Sequence, residues 1–281
     1  MPRRLGFLLV ASLAAGAVTS KADTLPQPVW ELGAGLGALA FPPWIGSRQH
    51  DAYVLPVPYF VYRGERIQAD RNGIRGLLFD SGSLALRLSL AASPPPNDRG
   101  DALRDGMPGL DPVFELGPEL RWLAWESRDM HTALYLRLPL RAAIAASGDG
   151  LDSVGWFASP ALNLEIHEWP APGWKIGINT GPVFGDADYH AYYYDVAPRY
   201  ANAGRPAYEA DAGYGGLQLT GSLTRRRGNW WVGAFVRAQY IRGAAFEDSP
   251  LVRTDTSVAG GIAFAWVFER SERTIRLRDG D

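Results

Sequence analysis

Four histidines and no cysteine bound the chemistry open to this 281-residue chain. Without a thiol there is no disulfide framework, no cysteine-ligated zinc or iron–sulfur centre and no cysteine nucleophile. His50, His131, His167 and His190 are scattered, and none has the His-x-x-x-His or His-Glu-x-x-His spacing that turns two imidazoles toward one metal. His167 and Glu168 are adjacent, but successive strand residues point to opposite faces, so they cannot act as one acid–base pair. His131 and His167 read better as polar groups at strand ends or in a lumen. Ser159 or Ser222 with His131 or His167 would be needed for a serine hydrolase, yet no G-x-S-x-G marks a nucleophile. Gly33-Ala34-Gly35-Leu36-Gly37-Ala38 satisfies G-x-G-x-x-A, but a phosphate cradle needs a helix next, and Phe41-Pro42-Pro43 cannot continue one. Small residues alternating on a strand leave room for neighbouring side chains instead. The expectation is a protein that is not an enzyme, with no catalytic residue, cofactor or metal.

What remains for chemistry is charge and tyrosine. Arg87, Arg121, Arg137, Arg141 and Arg237 share polar faces with Glu115, Glu119, Glu165 and Gln239. Such a set could line a water-filled channel whose charge rings choose ions, or it could pair across strands and fill a narrow lumen. Similar numbers of arginine and glutamate favour the filled lumen. Tyr192, Tyr193, Tyr194 and Tyr208 lie in one long joint. Tyrosine supplies contact area at low entropic cost, which suits a recognition loop, and it equally suits a loop that packs on itself over a mouth.

The elements that hold these groups have a period of two. Phe114, Leu116, Leu120 and Trp122 alternate with Glu115, Gly117, Glu119 and Arg121; Leu134, Leu136, Leu138 and Leu140 alternate with Tyr135, Arg137 and Arg141. The same alternation recurs along the chain, as half-buried strands require, and helix signals are almost absent. Twelve runs are expected, at 29–40, 53–62, 65–70, 74–79, 84–92, 113–125, 132–145, 154–168, 174–184, 214–224, 230–241 and 257–268. Joints at 80–83, 126–129, 170–173 and 227–229 are tight; those at 93–111, 146–153, 185–212 and 245–253 are long. Outer-membrane barrels alternate short periplasmic turns with long external loops in this way. A soluble sandwich would carry many lysines outside, but only Lys21 and Lys175 occur, and Trp and Tyr gather near run ends like interfacial girdles. The fold class is therefore all-β: an antiparallel transmembrane β-barrel of about twelve strands, with ten as the alternative.

Residues 1–22 have the layout of a cleaved secretory signal peptide: Arg3 and Arg4, an apolar run at 5–18, then Ser20-Lys21-Ala22. That run of fourteen residues, apolar but for Ser12, is at ~1.5 Å each too short to span a hydrocarbon core of ~30 Å. Cleavage removes three cations and takes the formal charge from −2 to −5, which argues against nucleic acid as a partner. Residues 23–268 form the barrel and 269–281 a charged tail that cannot lie in lipid. The expected location is the outer membrane of a Gram-negative envelope, with lipid as one partner.

Several ordered motifs carry a resemblance. Trp30-Glu31-Leu32-Gly33, Pro42-Pro43-Trp44, Pro56-Val57-Pro58-Tyr59, Arg63-Gly64-Glu65-Arg66 leading to Asp70-Arg71-Asn72-Gly73, Phe114-Glu115-Leu116-Gly117-Pro118, Tyr192-Tyr193-Tyr194 running to Arg205-Pro206-Ala207-Tyr208, and Asp248-Ser249-Pro250 together resemble the MipA/OmpV family of outer-membrane proteins. The resemblance covers residues 28–268. It implies a scaffold that brings a murein lytic transglycosylase together with a murein synthase. Other members are described as adhesins or permeability factors, so a narrow channel or a permeability or adhesion factor is the alternative.

Overall fold

A computed structural model describes residues 27–64, 66–70, 73–92, 103–148 and 150–275. The export signal expected at 1–22 and the end of the tail lie outside the described residues. Twelve antiparallel strands close into a barrel: β1 (Trp30–Phe41), β2 (Asp51–Arg63), β3 (Ile67–Asp70), β4 (Gly73–Asp80), β5 (Leu84–Ala92), β6 (Val113–Glu126), β7 (Thr132–Ser147), β8 (Gly150–Ala158 and Ala161–His167), β9 (Trp174–Gly185), β10 (Gly213–Arg227), β11 (Trp230–Tyr240) and β12 (Thr256–Arg270). Each strand pairs with its sequence neighbours, and β12 returns to β1 through a register that sets Gly260 opposite Ala40 and Arg270 opposite Glu31. A strand that crosses lipid must satisfy its backbone polar groups within the protein, and closure does this without leaving an edge.

The sequence period sorts the faces. Leu36, Leu138, Leu162 and Ile262 are exposed on the outer wall, whereas Arg121, Glu119, Asn163 and Glu165 are buried. The molecule is apolar outside and polar inside, the reverse of a water-soluble domain and the arrangement lipid demands. Exposed Trp122, Trp125, Trp169, Trp230, Trp266 and Phe268 lie toward the short-turn end, and Phe184 and Tyr240 toward the long-loop end. On that wall Trp230 stacks on Phe264 and Trp266, with ring centroids 4.8 Å and 5.6 Å away.

Register shifts fall near strand ends, between Leu77 and Phe79, Leu123 and Trp125, Val183 and Phe184, and Val267 and Glu269. Bulges there bend the rims without breaking the ladder. At the seam a Cβ on Gly35 would sit 1.8 Å from the carbonyl oxygen of Phe264. Only glycine lets β1 and β12 approach so closely.

Three details differ from the expected runs. The long joint expected at 146–153 is short, because β7 runs to Ser147 and β8 begins at Gly150. The eighth run is interrupted at Ser159 and Pro160, where proline has no N–H to give the ladder. The joint at 185–212 contains a helix, α1 (Ala187–Tyr194), which the period-two pattern concealed. Beyond the barrel, Gln27 and Pro28 pair antiparallel with Ile275 and Thr274, so the two described ends of the chain meet at the short-turn rim.

Candidate functional site

The lumen is built by inward-facing residues of the strands. Glu119 on β6 accepts from Arg137 on β7 at both carboxylate oxygens, with Nε at 2.9 Å and Nη2 at 2.6 Å. Arg141, two inward positions further along, donates to Glu115 at 3.0 Å and lies 3.8 Å from Glu119. The fork of a guanidinium matches a carboxylate in this bidentate geometry, which fixes register as well as charge. Arg87 is buried on β5 directly opposite Glu119. Toward the short-turn end Arg121 lies over the Tyr135 ring at 3.6 Å and is 3.5 Å from the Glu165 carboxylate. His167 Nε2 is 3.8 Å from the other oxygen of Glu165. These two residues are separated by one position and share a face, unlike His167 and Glu168. Gln239 Nε2 donates to the Gly215 carbonyl at 3.1 Å. Arg237 also lines the lumen, but its side chain has no hydrogen bond or ion pair among the described residues, and its Nε is buried without a partner.

The long-loop mouth is plugged. Asp186 caps α1: one carboxylate oxygen accepts from Tyr189 N at 2.8 Å and the other from Trp156 N at 2.9 Å, so a single side chain caps the helix and ties it to β8. Gly155 on β8 has φ +115°, and a Cβ there would lie 2.3 Å from the Asp186 carboxylate. The helix turns its tyrosines inward. Tyr194 stacks on Phe246 at 3.7 Å, nearly parallel, and donates to the Ile45 carbonyl at 3.0 Å. Tyr193 meets Tyr192 edge-on at 4.9 Å, and Tyr192 Oη bonds the Asp111 backbone. Tyr208, beyond the helix, donates to the Ala245 carbonyl at 3.2 Å. Burial pushes the phenols of Tyr193 and Tyr194 well above the usual range, so both stay neutral.

Sequence reasoning did not find the other half of this plug. His190 is buried, with Nδ1 2.7 Å from the Asp211 carbonyl and its ring edge-on to Phe246 at 4.9 Å. Burial lowers its pKa against the raising effect of that carbonyl and of Asp186. Arg205 donates to the carbonyls of Tyr200, Leu103 and Asp105, and Arg104 to that of Tyr193, which clasps the two long loops together. The Asp186-Ala-Asp-Tyr cap was the available helix signal. No spacing rule marks an arginine that bonds distant carbonyls. At the opposite end, Glu31 accepts from Arg226 at 2.6 Å and pairs with Arg63 at 3.0 Å, while Arg226 reaches Tyr59 Oη at 2.9 Å beneath Trp231.

Between plug and ladder lies a cavity of about 390 Å³. Its wall carries Arg137, Arg141, Arg237 and Glu115 below the rings of Phe157, Tyr189 and Tyr193. Among the described residues no three His, Cys, Asp or Glu side chains group as metal ligands, and no helix is long and apolar enough to cross a membrane. Gly33 to Gly37, the apparent dinucleotide motif, lie within β1, with no helix after them.

A closed antiparallel barrel with an apolar belt, aromatic rims and a charged interior defines an outer-membrane barrel protein. The chain belongs to the family described as MltA-interacting protein MipA, whose model matches residues 34–268. Comparison with curated protein sequences gives no match. Solved structures of similar shape include a bacterial polysaccharide outer membrane secretin (9% identity, TM-score 0.44, covering 85% of this chain and 99% of that one). An outer membrane channel from Pseudomonas putida F1 is similar at 10% identity and TM-score 0.41, covering 89% of this chain and 100% of that one. The Ralstonia pickettii toluene transporter TbuX is similar at 10% identity and TM-score 0.27, covering 88% and 71%.

Proposed function

We propose that this protein is a non-enzymatic docking scaffold of the outer membrane, which holds a murein lytic transglycosylase and a murein synthase at its periplasmic end. The observation that supports this reading is the occupied interior: arginine–glutamate pairs inside the barrel and α1 packed at the long-loop end take up lumen space that a wide pore would leave to water. A barrel so closed acts through its surfaces. The family name attaches MltA binding to MipA itself, and the reading extends that partner class to this chain. Residues 1–22 serve as its cleaved export signal, 23–268 as the barrel and 269–281 as a periplasmic tail.

The test replaces residues 170–173 and the turn at 228–229, both at the short-turn end, with neutral turn sequences and measures capture of the murein enzymes by the inserted protein. Loss of capture with unchanged heat-modifiable migration is expected. Undiminished capture by the inserted double replacement would overturn docking through these turns. The cavity among the lumen arginines favours a second reading, a narrow channel or permeability factor, and conductance separates the two as described in the Discussion.

A further inference from the structure

We infer that the lumen cavity beneath α1 is a binding site for a small monocarboxylate with a flat apolar body, its carboxylate held by Arg237. The inference does not depend on the docking role.

Three arginines line the cavity, and two are already engaged. Arg137 spends its fork on Glu119, and Arg141 holds Glu115 at 3.0 Å. The Arg237 side chain has no acceptor among the described residues; the charges that act on it, Glu115 and Arg141, are paired with each other. Its Nε is buried without a partner, and so is the hydroxyl of Thr220, which stands directly opposite in register on β10. Thr220 is 2% exposed. Two buried polar groups without partners, side by side on one cavity wall, amount to an unfilled hydrogen-bonding demand. The two terminal nitrogens of Arg237 likewise have no acceptor among the described residues and are not among the buried atoms, so they face the cavity, and a planar carboxylate can take both.

The rest of the wall selects the body of the ligand. Phe157 stacks on Tyr189 at 5.0 Å, and Tyr193 stands edge-on to Tyr189 at 5.5 Å, which places aromatic faces on the cavity's plug side. Phe235, two residues from Arg237 on the same strand face, adds another. Rings of this kind favour a flat apolar group. Glu115 and Asp111 on the same wall oppose a second negative charge. A cavity of about 390 Å³ admits a molecule of one or two rings, within the usual range for ligand sites.

The test is calorimetric titration of the refolded full-length chain in detergent with benzoate, benzyl alcohol and phthalate. Benzoate should bind saturably and at least about tenfold tighter than either the neutral alcohol or the dianion. Arg237→Gln should weaken benzoate by about tenfold or more and erase its preference over benzyl alcohol. Arg237→Lys keeps the charge and loses the fork, so it should weaken benzoate while retaining the preference. If Arg237→Gln fails to insert, the wild-type series and Arg237→Lys decide the matter. No saturable benzoate binding, equal binding of benzyl alcohol, or undiminished binding by either variant would overturn the site.

Discussion

At the scale of single residues, what a substitution costs depends on which solvent the side chain meets. Leu138 faces lipid on β7, and its neighbour Arg137 faces a carboxylate. Leu138→Arg should therefore destabilise the barrel by about 2–4 kcal/mol if it lies near the bilayer midplane. Urea-driven unfolding from vesicles measures it, and Leu138→Ala serves as the size control. Glu119→Gln removes the charge that answers Arg137 in a largely buried pair. About 3 kcal/mol should be lost, at the low end for a broken buried pair because the cavity wets one side of Arg137. A double-mutant cycle with Arg137→Gln should recover much of that loss. A cycle with no coupling would mean that the pair contributes only position.

Elements explain both what the sequence disclosed and what it hid. The strands were legible because lipid enforces the period-two code with little relief: Leu134 to Leu140 lie on one face of β7 and Tyr135 to Arg141 on the other, and the scarcity of lysine set this alternation apart from that of a soluble sandwich. The arginine and glutamate faces were legible for the same reason, although which arginine took which glutamate was not, since strand register sets the partners. A loop packed over the mouth was one of the two readings its tyrosines allowed, but the helix within that plug was concealed. Its eight residues include four tyrosines, a residue type as common in strands as in helices, and its stability comes from Phe246, Ile45 and Asp211, distant in sequence. Asp186→Ala should cost α1 about 1 kcal/mol for the lost cap, with a further loss for the tie to Trp156 N, seen as faster amide exchange confined to residues 187–194. Acid should act on the same helix. The folded pKa of His190 lies below the unfolded value of about 6.5, so the unfolded segment binds protons first. Its stabilising effect is complete above that value and is lost progressively as pH falls toward the folded pKa. Protease cleavage in residues 186–212 should thus rise between pH 7.5 and pH 5, and His190→Gln should flatten the dependence.

For the whole molecule, the decisive property is closure, of the lumen and of the sheet. In planar bilayers the intact protein should conduct little, and deleting residues 186–212 with a short glycine linker should give steady conductance. Large steady conductance by the intact chain would favour the channel reading over the scaffold. Closure of the sheet has a temporal side as well. The seam joins Ala40 to Gly260, partners more than two hundred positions apart, whereas every other interface joins strands adjacent in the chain. Hairpins can therefore form early and the seam must form last, because its loop entropy is met only when the other strands are in place. Until then the assembling chain is a curved ribbon with two bare edges, each able to capture a foreign strand. The small ladder between residues 27–28 and 274–275 brings the chain ends together at one rim, so the final zippering has a defined starting point there and proceeds toward the loops. A chain trimmed of that clasp would have the same finished barrel and a longer search for it, and would spend that time exposed to strand exchange with its neighbours.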